Sequence, residues 1–127
     1  MKRTPLPPRT ARIKIRRVTR GGRGSDPAKL AWLRELRCVA YATDAYFCWG
    51  GMTVHHDRPR GARATDARTC PVCVGHHTAG RHSVTALGRR RWQEVVLVDL
   101  ELECARYEAA WQSRKASEAM LKAAGIA

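Results

Sequence analysis

The sequence predicts an α+β domain, and three observations carry that class. Leucines spaced three apart follow a helix-start signal at Ser25-Asp26-Pro27. A nearly uncharged aromatic stretch from Val39 to Val54 is broken by Gly50-Gly51, as a hairpin would be. An apolar stripe at three- and four-residue spacing then runs from Trp92 to Trp111, the face of a long amphipathic helix. With 127 residues the chain has room for one modest core. We divide it into a basic arm, residues 1–24, and one domain, residues 25–127.

The arm carries Lys2, Arg3, Arg9, Arg12, Lys14, Arg16, Arg17, Arg20 and Arg23 without an acid, between early prolines and late glycines. Such a segment reads as a flexible, disordered arm that touches phosphates, with Arg12, Lys14, Arg16 and Arg17 as contacts. Alternation at Ile13, Ile15 and Val18 leaves a short strand open as the other reading.

In the first helix Asp26 can cap free amides, and Pro27 fits the first turn, where no donor is needed. Leu30, Leu33 and Leu36 make its packing face, and it leads into Cys38. From Val39 to Val54 we expect a hairpin whose second strand, Met52-Thr53-Val54, delivers His55 and His56. Neighbours on a strand face opposite ways, so adjacent histidines would divide labour, one holding a metal while the other activates water. Residues 57–65 follow as a basic loop in which Arg58, Arg60 and Arg63 suit phosphate contacts.

All five histidines fall between His55 and His82, interleaved with Asp66, Cys70 and Cys73. Two ligand sets overlap there. The structural one joins Cys38 and Cys48 to Cys73 and His76, with the Cys70-x-x-Cys73 knuckle as its alternative. The same cysteines also fit as small buried residues. The catalytic set is His55, His56, His77 and His82. His77 and His82 stand five apart, about 140° around an unbroken helix, so His82 reaches the same metal only if the helix loosens near Gly80.

These residues resemble a known family. A His-His pair, a basic glycine-containing loop, an Asp seven residues before Cys73, and Pro71-Val72-Cys73-Val74-Gly75-His76-His77 followed by His82 look like the HNH endonucleases with a ββα-metal core. More closely, they are similar to the phage recombination-enhancement, RecA-dependent nuclease group, which Gly88-Arg89-Arg90-Arg91-Trp92 also resembles. The likeness spans about residues 30–110.

The resemblance implies a ββα-metal core with a zinc-knuckle-like hairpin. It makes His56 the general base with Asp66 orienting it, and His55, His77 and His82 ligands of one catalytic Mg, Mn or Zn ion. It places a structural zinc on Cys38, Cys48, Cys73 and His76. Two departures stand out: Tyr41 lies where a second cysteine is usual, and His82 comes one residue later than the commoner spacing. The resemblance further implies DNA as substrate, a phage or prophage origin, and a RecA-type recombinase filament as partner.

Beyond the histidines, Arg81, Arg89 and Arg90 extend the basic surface. Trp92, Val96, Leu100, Cys104, Tyr107 and Trp111 form one helical face closing near Gly125, although alternation from Val95 to Leu102 also suits a strand. Cys104 reads as a buried thiol. The charge then narrows the function. Lys and Arg number 24 against 11 Asp and Glu, giving +13 and a pI near 10.6, so a polyanion is the natural partner. No apolar run reaches the roughly 20 residues needed to cross a bilayer, and no signal-like core follows the basic start. Five cysteines without such a signal point to a reducing cytoplasm, which the phage resemblance makes that of a bacterial host, and to metal ligation. We therefore expect a metal-dependent DNA endonuclease. The alternative is a non-catalytic, zinc-stabilised nucleic-acid-binding protein. A basic packing protein with incidental histidines comes third.

Overall fold

The computed structural model describes residues 24–59 and 63–126; all of the arm but Gly24, its possible strand included, lies outside them. Helix α1 (Pro27–Arg34) starts as its sequence dictates: Asp26 Oδ1 accepts from the Lys29 amide at 3.2 Å, and proline occupies the first turn. Leu33 is fully buried. So is Lys29, which the leucine pattern gave no reason to place inside.

The hairpin expected over residues 39–54 is not formed. Tyr41–Asp44 makes a short helix, α2, and Ala45–Phe47 a turn of 3₁₀ helix. Backbone bonds from Tyr41 to Cys38 and from Cys48 to Ala45, each 3.0 Å, close the chain on itself here. Helical winding rises about 1.5 Å per residue against about 3.3 Å in a strand, which brings Cys38 and Cys48 together without a sheet.

Strand β1 (Met52–His56) finds its partner downstream, in β2 (Thr69–Cys73). The pair is antiparallel, with Met52 opposite Cys73, His55 opposite Cys70 and His56 opposite Thr69. A two-stranded sheet has only edges, so Pro71 costs the ladder little; its carbonyl accepts from Val39 at 3.0 Å. Every residue of β2 is buried, and Cys70 and Val72 pack with Trp92, Val96, Leu100 and Cys104 as the core.

A single π-helical turn, Gly75–Ala79, follows β2 and ends at Gly80, where a side chain would collide with the Gly75 carbonyl. Helices α3 (Val84–Leu87) and α4 (Arg89–Val96) come next, and α5 (Leu100–Ala123) closes the described chain. The single helix expected from Trp92 is therefore two. Leu97 takes a left-handed conformation at φ 58°, and Asp99 caps α5 by accepting from Leu102 at 3.1 Å. The break lets Val98 and Leu100 both turn inward, which a continuous helix would not allow for residues two apart. The architecture is α+β, with a small antiparallel sheet and a long C-terminal helix. Among the described residues no helix is long and apolar enough to cross a membrane.

Candidate functional site

Two polar sites flank the sheet. At the first, His76 is fully buried, and its Nδ1 lies 3.3 Å from Cys73 Sγ, 3.4 Å from Cys48 Sγ and 3.8 Å from Cys38 Sγ. Around a tetrahedral zinc, with typical Zn–S and Zn–N bonds, sulfur and nitrogen stand about 3.6 Å apart. All four donor atoms fall within 4.8 Å of one another, so the group can hold a metal such as zinc. The outer nitrogen fits too: Nε2 of His76 donates to Asp44 Oδ2 at 2.9 Å, fixing the tautomer whose lone pair faces the sulfurs.

Electrostatics make the same point. Burial raises Cys38, and burial with the neighbouring thiols pushes Cys48 up to about 12. Burial tends to raise Cys73 too, but its contact with the His76 ring and hydrogen bonds from the amides of His76 and Trp49 hold it down to about 7. Three thiolates crowd together only when a cation balances them.

Cys70, the alternative knuckle residue, is not in this group. Three residues along a strand reverse the face, so Cys70 points towards Cys104 on α5 while Cys73 meets His76. Its thiol is raised well above normal by that neighbour and by burial. Cys104 is a buried thiol, as its place on the stripe predicted.

The second site lies at the far end of β1. The rings of His55 and His77 meet edge-on with centroids 5.5 Å apart. Thr53 hydroxyl donates to the Val72 carbonyl at 2.6 Å, so its oxygen is left to accept from His77 Nδ1 at 2.8 Å. That assigns the proton to Nδ1 and the lone pair to Nε2. His55 Nε2 is buried without a hydrogen-bond partner; Asp57 Oδ1, 3.5 Å away, is too far for a well-formed one. Burial lowers both pKa values, helped at His55 by the charge of His77 and at His77 by that of His56.

His56 stands beside them, and its Nε2 donates to Asp66 Oδ1 at 2.8 Å. Asp66 is well anchored. Its Oδ2 accepts from the Asp26 amide at 2.6 Å, and its own amide donates to Gly24 at 2.9 Å. Burial tends to raise its carboxyl, but the Asp26 amide, His56 and Lys29 hold it below the usual range. The opening of α1 thus clamps the residue that orients His56.

Not every expected residue joins these sites. His82 does not gather with His55 and His77: its Nδ1 bonds to Asp44 Oδ2 at 2.8 Å and its ring stacks on Phe47 at 3.7 Å. The helix does end at Gly80, but the chain then turns towards the cysteine cluster. Arg89 is not free for phosphate, because it forks onto Asp57 with bonds of 2.7 and 2.9 Å. Arg58, Arg63, Arg81 and Arg90 are exposed, and Arg90 lies 3.6 Å from Glu94. Arg60, Arg12, Lys14, Arg16 and Arg17 fall outside the described residues. Reading the sequence missed Asp44, Thr53, Asp57 and Lys29. For Asp57 the period of two from His55 was an available signal; for the others the partners are too distant along the chain.

Comparison of the chain with protein-family models, with curated proteins and with solved structures finds no match.

Proposed function

We propose that this chain is a metal-dependent endonuclease of the HNH (ββα-metal) type that hydrolyses phosphodiester bonds in DNA. One observation carries the reading: the His56–Asp66 dyad stands next to the His55–His77 pair on a strand–strand–helical-turn unit. A buried imidazole nitrogen without a partner is costly unless a ligand meets it, and His55 Nε2 is such an atom. His55 and His77 would hold a divalent cation, which supplies charge stabilisation for the phosphoryl group and the leaving oxygen.

The remaining work belongs to side chains. With Nε2–H committed to Asp66, His56 keeps the Nδ1 lone pair, the group that takes a proton from the attacking water. Asp66 fixes that tautomer and the orientation of the ring. The exposed Arg58, Arg63 and Arg81 suit the phosphate backbone, as does the net charge of +13. The Cys38–Cys48–Cys73–His76 cluster braces the turn before β1 against the turn that carries His77.

A plasmid-nicking assay tests the reading, with wild type and His56→Ala compared across Mg²⁺, Mn²⁺, Zn²⁺ and no added metal, and with a recombinase filament substrate in parallel. The expected result is metal-dependent nicking that the substitution removes. The cysteine cluster favours a second reading, a zinc-stabilised DNA-binding module without catalysis. DNA binding by both proteins, with no cutting under any metal, would establish that one instead.

A further inference from the structure

The chain between α1 and β1 carries exposed aromatic rings beside the cysteine cluster, and neither ring is a ligand there. Trp49 is 52 % exposed and Tyr41 45 %. Both line an open cavity of about 420 Å³ whose lining includes Cys38, Cys48 and Cys73 of the cluster; Arg37 and Glu35 are its two charged lining residues. That volume lies within the range of small-ligand sites. The Arg37 guanidinium sits 4.3 Å from the centre of the Tyr41 ring, so a cation and a π face are already paired at the rim.

Trp49 is held in place rather than loosely displayed. A Cβ at Gly75 would lie 2.5 Å from indole Cδ1 and 2.6 Å from Nε1, so only glycine leaves room for the ring. The Gly75 amide also donates to the Trp49 carbonyl at 3.0 Å. Gly75 opens the turn that carries His76 and His77. An indole with half its surface in water is thereby seated against the backbone two residues before a proposed catalytic ligand.

We propose that this groove stacks unpaired nucleobases, so that the preferred substrate is DNA with single-stranded character. The inference rests on the nucleic-acid reading above and specifies its substrate. Solvent-exposed aromatic rings beside arginine form a sequence-tolerant platform, because every base has a π face and the cation attends the phosphates. Duplex DNA hides those faces in its own stack and gains nothing from the groove. The chain's net charge of +13, nine of it carried by residues 1–24, draws nucleic acid to the protein, and Arg37 is the cation at the groove itself.

The test uses the zinc-loaded full chain without added magnesium or manganese. It is titrated with a short oligothymidylate and with a duplex of matched length, followed by tryptophan emission and by anisotropy of labelled DNA. Oligothymidylate should quench Trp49 emission. Tyr41→Ala and Trp49→Ala should each weaken single-strand binding roughly tenfold, and duplex binding by less than about twofold. The atoms nearest a Cβ at Gly75 belong to Trp49 and Phe47 rather than Tyr41, so the Tyr41 variant reads the groove even if Trp49→Ala disturbs the turn. Equal losses for both DNA forms, or unchanged binding of both by Tyr41→Ala, would overturn the proposal; the latter is what a peptide groove gives. Nicking that persists without strand preference would leave the nuclease reading standing alone. Single-strand-selective binding without cleavage would do the reverse.

Discussion

Asp44 joins two histidines through one oxygen: Oδ2 accepts from His76 Nε2 at 2.9 Å and from His82 Nδ1 at 2.8 Å. The His76 bond settles which nitrogen faces the three sulfurs. The His82 bond explains why that residue leaves the His55–His77 pair. Burial tends to raise the Asp44 carboxyl, but both histidines hold it below the usual range, so it remains an acceptor at neutral pH.

Asp44→Ala should therefore weaken zinc binding by about 10- to 100-fold, the usual cost of losing a residue that orients a ligand. Competition with a chromogenic chelator reads this directly. Cys73→Ser should remove stoichiometric binding, since it takes one of the three sulfurs from the group. Equal zinc affinity in wild type and Asp44→Ala would mean that the carboxylate does not serve the cluster.

The dyad predicts a separation of binding from turnover. His56→Ala should lower nicking by about 10²–10⁴-fold, the range of a general base, with DNA affinity within about twofold of wild type. Asp66→Asn keeps an oxygen for the Asp26 amide but gives up the carboxylate that holds His56 in its working tautomer. It should slow nicking without unfolding α1, whereas Asp66→Ala should do both. Single-turnover rates and helical circular dichroism separate the cases.

Local signals in the sequence were reliable where the structure is local. Asp26-Pro27 starts α1 as its chemistry requires, and Cys38, Cys48, Cys73 and His76 meet although 38 residues separate the first from the last. Tyr41–Phe47 misled because an uncharged aromatic run fits a strand or a buried helix equally well, and the ligand cluster decides which. The stripe from Trp92 to Trp111 crossed a helix break without losing phase, so periodicity alone could not show the left-handed Leu97. Arg89 looked like surface charge because its partner, Asp57, lies 32 residues away on another element. Pairings of this kind arise from packing, and no short window contains both members.

Lys29 is a buried charge whose removal should destabilise the fold. It is fully buried, and its ammonium bonds to the Asp66 carbonyl at 2.8 Å, the Ala67 carbonyl at 3.2 Å and Glu108 Oε2 at 2.6 Å, using all three protons. Lys29→Met keeps the stem and leaves those carbonyls without a donor. It should cost about 2–4 kcal/mol, less than a fully buried pair because Glu108 is partly solvated and can turn to water. The urea midpoint should fall with an unchanged slope. Nicking should fall as well, because the backbone that carries Asp66 loses its anchor.

The same pair gives a signed dependence on pH. Burial tends to raise Glu108, but bonds from Lys29 and Gln112 hold it below its ordinary value of 4.5. A carboxylate depressed in the folded state binds fewer protons folded than unfolded, so its stabilisation is complete above the unfolded pKa and fades as pH falls through the folded one. Wild type should therefore exceed Glu108→Gln in stability at neutral pH by an amount that stays constant down to about pH 5 and then shrinks through the acid range. Urea midpoints of the two proteins across that range measure the difference. A gap that persists undiminished to the lowest pH would place the contribution of Glu108 in packing rather than in its charge.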